Sequence, residues 1–541
     1  MTIKLDQQLV QSFLMAVCLD GKGTILDRAR TGDVNRVSRS VFDGFCQRVT
    51  HTSILELTQR FKAVNLCLAT GQTYYDDWLG ITMTGPLEVR WIRQVYGLFS
   101  RTHGLVDPQQ YLDDWADRVS QPSSAFSEKT KIQWPNLRSD ARRLVNEWLG
   151  RVPDLVRLMP KHGPGSVSTG ERGYEKLHLH TLYRSVATYY TSNYPDSIGD
   201  IALLRLNLRH IEAQPRVNVV RHAITKVIAV PKDATKPRII SCEPLSMQFL
   251  QQAVLRDIVS RLEKRTKCIR FRDQVFNRTR SRNLKYATLD MSNASDTVSR
   301  KIVKQLLPAP WFALLDALRS TAGRLPSGRV VPFRVFAPMG SALCFPVESL
   351  VFAAVACTIA SARGYDESEV AVYGDDLIVP VGVADELLDA LTQLGFTPNR
   401  HKCCLRSSLF RESCGAEWYR DHDVTVVRPR FGMITGDSPM VNFASSSEKA
   451  GFPKLAQAFA SCVSSPVALG DGDGLASPSL RWENVGQVRW HRGYQRWEQQ
   501  YAYQRARRLP ERETDDYMHL FMHLVAGWST DTQFNTDMVN A

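Results

Sequence analysis

The chain lacks an unbroken apolar run long enough to cross a bilayer. Its most apolar stretch, Leu343 to Ala360, is interrupted by Pro346 and Glu348. What remains after Glu348 is shorter than the ~20 residues a spanning helix needs. The 11 cysteines, an odd count, include no C-x-x-C pair. That argues against a disulfide framework and against a zinc ribbon or finger, and it fits a reducing compartment. No fixed-period repeat is present, which excludes solenoids and propellers. With 32 glycines and 26 prolines among 541 residues, collagen-like and low-complexity classes are also excluded. The opening stretch MTIKLDQQLVQSFLMAVCLD has one lysine, an early Asp6 and only a short apolar run. It reads as an amphipathic helix rather than a leader peptide.

What is present is a folded-protein composition, 43% hydrophobic and 23% charged. At roughly 150 residues per domain, the length predicts three or four domains or subdomains. The net charge of +13 favours a polyanionic partner. That charge is concentrated: residues 216–285 hold 17 Lys and Arg against 5 Asp and Glu, so one segment carries nearly the whole excess. A solvated face would tolerate such a run. Its length and its interleaving with strand-like and helix-like apolar residues favour a channel for phosphates. Within it, KVIAVPKDATKPRIIS (226–241) predicts two strands joined by a proline-stiffened link that presents Lys232, Lys236 and Arg238. Three cations on such an arm suit a triphosphate.

The strongest local signal is VAVYGDDLIVPV (370–381), two apolar runs flanking Gly374-Asp375-Asp376. This predicts a β-hairpin with the acidic pair at its turn. A turn Asp-Asp alone is unremarkable. Upstream, LKYATLDMSNASD (284–296) rises as a strand to Asp290, with Asp296 six positions on and a helix predicted from about Asp296 or Thr297. Carboxylates from two strand ends can converge on Mg²⁺, a hard cation that takes oxygen ligands. Two such ions ~3.5–4 Å apart stabilise the entering and leaving oxygens of an in-line phosphoryl displacement. Asp290 and Asp375 are the natural bridging pair, with Asp376 as a third carboxylate. Between these segments, FAPMGSALCFPVESLVFAAVACTIASA (336–362) predicts a small-residue loop followed by a long helix. A glycine at such a helix start allows close backbone approach.

Taken in order, D-x5-D at 290–296, the Gly-Ser loop and helix at 340–349, and YGDD at 373–376 resemble the catalytic region of viral RNA-dependent RNA polymerases. The finer phrases DMSNASDTVSR, MGSALCFPVESLVF, VYGDDLIVP, GFTPNRHKC, FRESCGAEWYRDHDVTV, HGPGS and VPKDATKPRIISCEP resemble the replicases of positive-strand RNA bacteriophages, the levivirus group. The resemblance spans roughly residues 160–430. It implies an α/β (α+β) right-hand fold with fingers, palm and thumb, the palm built on an antiparallel sheet. The expected division is 1–160 N-terminal extension and part of the fingers, 161–284 basic fingers, 285–430 palm with a fingers insertion near 305–335, and 431–541 thumb and tail.

Carried over residue by residue, the resemblance implies RNA-directed RNA polymerase activity with two Mg²⁺ ions (Mn²⁺ as substitute) on Asp290, Asp375 and Asp376. Lys232, Lys236 and Arg238 would grip the triphosphate, and Asp296 would lie near the ribose with Ser292 and Asn293 as rivals. Ser341 would contact the nucleotide and Gly340 the template–nucleotide pair. His162, Tyr373 and Arg411 would touch template or product RNA, and Phe410–Tyr419 would steady the growing 3′ end. Lys402 is the candidate general acid, with His401 as its rival. The place where broader polymerases have an Asn that reads the 2′-hydroxyl holds Glu348. The resemblance implies RNA and ribonucleoside triphosphates as partners, with host elongation factors Tu and Ts and a small-subunit ribosomal protein. It implies action in the bacterial cytoplasm, away from membranes. A reverse transcriptase is disfavoured by Gly374, and a non-catalytic RNA-binding protein needs none of the three aspartates.

At the ends, SDARRLVNEWLGRVPDLVRLM (139–159) predicts a helix, as does RWENVGQVRWHRGYQRWEQQYAYQRARR (481–508), whose aromatics would either pack inward or stack on bases. Residues 465–479 predict an exposed loop. Its DGDG lacks the pattern and terminal Glu of a calcium loop.

Overall fold

The computed structural model describes residues 7–26, 37–102, 106–154, 158, 160–163, 165–177, 179, 181–193, 218–429, 438–462, 488–491 and 496–499. The chain divides into two compact units, Met1–Ser464 and Ser465–Ala541. The elements that position the site lie in the first: helix α1 (Gln109–Ser120), strands β1 (Ile224–Pro231) and β2 (Pro237–Cys242), helix α2 (Leu245–Arg265), and strand β3 (Tyr286–Leu289). Then come strands β4 (Ala322–Arg324) and β5 (Val330–Pro332), helix α3 (Cys344–Ala362), strands β6 (Ala371–Tyr373) and β7 (Asp376–Pro380), helix α4 (Ala384–Gln393), and strands β8 (Phe410–Ser413) and β9 (Ala416–Tyr419).

The central sheet is antiparallel in the order β6-β7-β3. Its strands are short, β-branched and aliphatic runs with nearly every residue buried. Thr288 exchanges backbone hydrogen bonds with Cys404, which extends the sheet beside β3. One face is covered by α3, which also packs on the helix Leu137–Leu149. Among the described residues α3 is the one helix long and apolar enough to cross a membrane, yet 89% of its apolar window is buried. It is a core helix.

A second sheet has the order β2-β1-β4-β5. The predicted strand pair of the basic segment is therefore a true hairpin, with Pro231 opposite Pro237. Its inner face places Val227, Ile239, Leu325, Val331 and Phe333 against Leu112, Trp115, Ala116 and Val119 of α1. The N-terminal helices Gln7–Asp20, Arg39–His51, Ile54–Ala69 and Pro86–Gly97 share one core with Phe410, Tyr419 and the helices Ser438–Lys449 and Pro453–Ala460. Residues near the two ends of this unit are thus built on one another.

Three expected elements differ. The helix predicted over 139–159 is Leu137–Leu149; Gly150, at φ +61°, ends it. The helix expected from about Asp296 begins at Arg300. Asp296 closes a single 3₁₀ turn, and Ser299 caps the helix by accepting from the Ile302 N–H at 3.1 Å. In the second unit, part of the predicted 481–508 helix is instead an antiparallel pair, Val488–His491 with Arg496–Gln499, with Trp490 opposite Trp497. Alternation of Arg with aromatics satisfies period two as well as an amphipathic helix. The 465–479 loop lies outside the described residues.

Candidate active site

Strand register brings the three carboxylates together. Leu289 pairs with Leu377, so one step further Asp290 stands across from Asp376. β6 and β7 turn tightly, with Tyr373 opposite Asp376. Asp375 therefore sits in the two-residue turn and Asp376 opens β7, a refinement of the expected acidic turn. The turn requires φ > 0 at its first position, and Gly374 supplies +66°. A Cβ there would lie 2.4 Å from the Phe345 ring. Ser349 of α3 fixes the turn by accepting from the Gly374 N–H at 2.9 Å.

Asp290 is held on both oxygens. Asn399 Nδ2 donates to Oδ1 at 2.7 Å, and Lys402 Nζ stands 3.3 Å from Oδ2. Lys402 also pairs with Glu412 at 3.4 Å. Asp376 Oδ2 accepts from the Cys414 N–H in the β8–β9 turn at 3.0 Å. Burial raises the Asp290 carboxyl, and the Asp375 charge adds to that against the pull of Lys402. Burial also pushes Asp376 up to about 7, with Lys402 opposing and Asp375 and Asp290 reinforcing. Glu412 foremost, then Asp290, hold Lys402 well above the usual lysine value against burial. Glu348, on α3, is enclosed and raised well above the carboxylate range by burial, then by Asp375, Asp296, Asp290 and Asp376.

This is a cluster of like charges beside Lys402. Its oxygen donors suit Mg²⁺. Among the described residues no three His, Cys, Asp or Glu side chains form a ready-made metal cage.

The expected phosphate-gripping arm projects Lys232, Lys236 and Arg238 into solvent. Desolvation lowers the Lys232 pKa, and repulsion from Lys236, Arg238 and Lys402 lowers it further. Lys232 of the arm is thus within electrostatic reach of Lys402, the lysine paired with Asp290. Asp233 shapes its loop by accepting from the Thr235 and Lys236 N–H groups at 2.8 and 2.9 Å. Gly340 has φ +112°, and a Cβ there would lie 2.3 Å from the Ser241 carbonyl oxygen. The loop therefore lies directly on β2. Tyr373 is half-buried, edge-on to Phe345 with ring centroids 4.9 Å apart, and hydrogen-bonds Gln274.

Other expected contacts lie elsewhere. Arg411 is 1% exposed and donates to the carbonyls of Tyr286, Ser408 and Phe410. It braces the β8–β9 hairpin and has no face toward RNA. Ser341 is buried, its hydroxyl donating to Gln251 Oε1 at 3.0 Å, so it supports the loop from below. His162 stacks on Phe249 at 4.4 Å, and burial lowers its pKa to about 4. His401 is exposed, its backbone N–H donating to Asn399 Oδ1. Lys402 is the one of the two that reaches the carboxylates. Asp296 is buried against Trp115 and Arg118, and burial pushes it up to about 6.

Sequence reasoning missed Asn399, Glu412, Ser349, Trp115 and Arg118. Asn399 lies in a phrase the resemblance used, but nothing local marks it as a partner of Asp290.

A family model described as RNA replicase, beta-chain, matches residues 137–435. The RNA-directed RNA polymerase subunit beta of Enterobacteria phage SP is 43% identical over 217 residues, which are 39% of this chain and 36% of that protein. The subunit of the same name from Escherichia virus Qbeta is 33% identical over 298 residues, 53% of this chain and 47% of that protein. The chain thus matches less than half the length of these relatives. Among solved structures, the insertion-loop deletion mutant of the RNA-dependent RNA polymerase of a human picorbirnavirus is 11% identical with TM-score 0.40. That match covers 76% of this chain and 84% of that one.

Proposed function

The chain belongs to the RNA replicase beta-chain family, and from that premise we propose that it is an RNA-dependent RNA polymerase extending an RNA 3′-hydroxyl with ribonucleoside triphosphates. The observation that carries this reading is the convergence of Asp290, Asp375 and Asp376 at adjoining strand ends.

Asp290, Asp375 and Asp376 would hold two Mg²⁺ ions, with Mn²⁺ as substitute. Bound there, the ions supply Lewis-acid activation of the 3′-hydroxyl and neutralise charge developing on the phosphates. Lys232, Lys236 and Arg238 bind the triphosphate and orient it for in-line attack. Lys402, kept protonated by Glu412 and Asp290, stands ready to donate a proton toward the departing pyrophosphate. Gly340, seated on β2, lies in the loop that would support the template–nucleotide pair. Template and product RNA are the macromolecular substrates, and the family resemblance adds host elongation factors Tu and Ts and a small-subunit ribosomal protein. The setting is the cytoplasm of the bacterial host.

The test is RNA synthesis by the full chain on a short RNA template with Mg²⁺, with and without bacterial lysate, supplied with ribo- or deoxyribonucleotides. Ribonucleotide product is expected, and Asp375→Asn should abolish it while RNA binding survives. Undiminished synthesis by that variant would overturn the assignment of the site. Product from deoxyribonucleotides alone would replace it with a reverse transcriptase.

A further inference from the structure

Helix α1 lies outside the residues the family model matches. Three of its side chains nevertheless reach the site just described. Tyr111, Trp115 and Arg118 are spaced i, i+4 and i+7, so they line one face of the helix. The Tyr111 hydroxyl donates to the Thr235 carbonyl at 2.8 Å, within the loop bearing Lys232 and Lys236. Trp115 Nε1 donates to Asp296 Oδ1 at 3.2 Å, and Arg118 Nη2 stands 3.7 Å from Asp296 Oδ2. One rigid face thus touches both the phosphate-gripping arm and the carboxylate expected near the ribose.

The helix is itself firmly placed. Trp115 is 1% exposed and packs edge-on to Phe333, ring centroids 5.9 Å apart. The Val119 carbonyl accepts from the Arg334 and Val335 N–H groups at 2.9 and 3.2 Å. The chain leaving the helix also binds the loop after Asp296: Ser299 N–H donates to Ser124 Oγ at 2.8 Å. Segment 109–124 therefore holds the loop 296–299 at two points.

Resting on the polymerase reading above, we propose that α1 positions the incoming nucleotide from behind, with Trp115 and Arg118 as positioning residues for sugar discrimination by Asp296. A carboxylate has about four acceptor sites. Trp115 takes one on Oδ1, Ser295 also hydrogen-bonds the carboxylate, and Arg118 pairs with Oδ2 as an ion at 3.7 Å, which leaves at least one site for a ribose hydroxyl on a carboxylate held from three sides. A site built to hydrogen-bond a hydroxyl rejects the analogue that lacks it, because its own polar group is left unpaired. That rejection weakens if the carboxylate can turn away. Tyr111 fixes the arm, which contacts phosphates common to both sugars, so its effect is independent of the sugar.

The experiment is single-nucleotide incorporation by the full chain, measuring kcat/KM for a ribonucleotide and its 2′-deoxy analogue. Trp115→Phe keeps a ring against Phe333 and removes the N–H. It should lower the ribo-to-deoxy preference roughly ten-fold, whatever happens to the absolute rate. Arg118→Gln, at a partly exposed position, should lower it in the same direction and serves if Trp115→Phe does not fold. Tyr111→Phe should raise KM for both nucleotides equally. An unchanged preference in Trp115→Phe, or in Arg118→Gln where the first does not fold, overturns the inference while leaving the polymerase reading intact. A wild-type chain that makes no product in any condition overturns that reading instead.

Discussion

Asn399→Ala removes one hydrogen bond from the centre of the site and little else. The backbone links of this residue persist in alanine: its N–H still donates to the Asp290 carbonyl at 2.9 Å, and its carbonyl still accepts from Lys402 and Cys403. What disappears is the 2.7 Å bond from Nδ2 to Asp290 Oδ1 and the acceptor for the His401 N–H. A hydrogen bond to a charged group contributes ~1.5–3 kcal/mol. Losing an outer partner of a metal-binding carboxylate typically costs ~10–100-fold in metal affinity, which is the same range. Asp290 would then lean on Lys402 alone, at 3.3 Å, and turn toward it. The half-saturating Mg²⁺ concentration for RNA synthesis should rise by about 10–100-fold. The Mg²⁺ concentration needed to raise the thermal unfolding temperature should move in parallel, a reading that does not depend on turnover. An unchanged Mg²⁺ requirement in both assays would refute the claim that Asn399 orients Asp290.

Two other substitutions test the scaffold. Gly340→Ala places a Cβ 2.3 Å from the Ser241 carbonyl oxygen at φ +112°, so the loop must lift from β2. A cost of about 1–3 kcal/mol is expected in the urea midpoint, together with loss of RNA synthesis, and an unmoved midpoint would contradict the packing described. Glu417→Gln leaves Arg93 and Arg428 facing each other, since the buried carboxylate lies 2.8 Å from one and 3.4 Å from the other. Breaking a buried ion pair on one side costs about 3–5 kcal/mol, to be read by chemical denaturation, and a cost near zero would show that this triad does not join the N-terminal helices to the β8–β9 hairpin.

The sequence by itself determined the elements whose signal is local. The runs on either side of Gly374-Asp375-Asp376 alternate and branch as strands do, and the turn chemistry between them allows a single geometry, so the hairpin was legible from a dozen residues. The same holds for β1–β2 with its cationic link and for the glycine loop ahead of α3, whereas the hairpin Phe410–Tyr419 was expected only from the family resemblance. Tertiary structure decided which polar side chains face the site. Arg411 reads like an RNA contact, yet it is spent on the Tyr286 carbonyl 125 residues away. Ser341 is taken by Gln251, and Asp296 is held by Trp115, a partner 181 residues distant. The N-terminal helices, which carried no motif, share a core with the helices after residue 437. Secondary structure follows backbone hydrogen bonds and side-chain periods that close within a few residues. The burial of a polar group depends on which donors and acceptors the folded chain brings to it, and that information is spread over hundreds of residues.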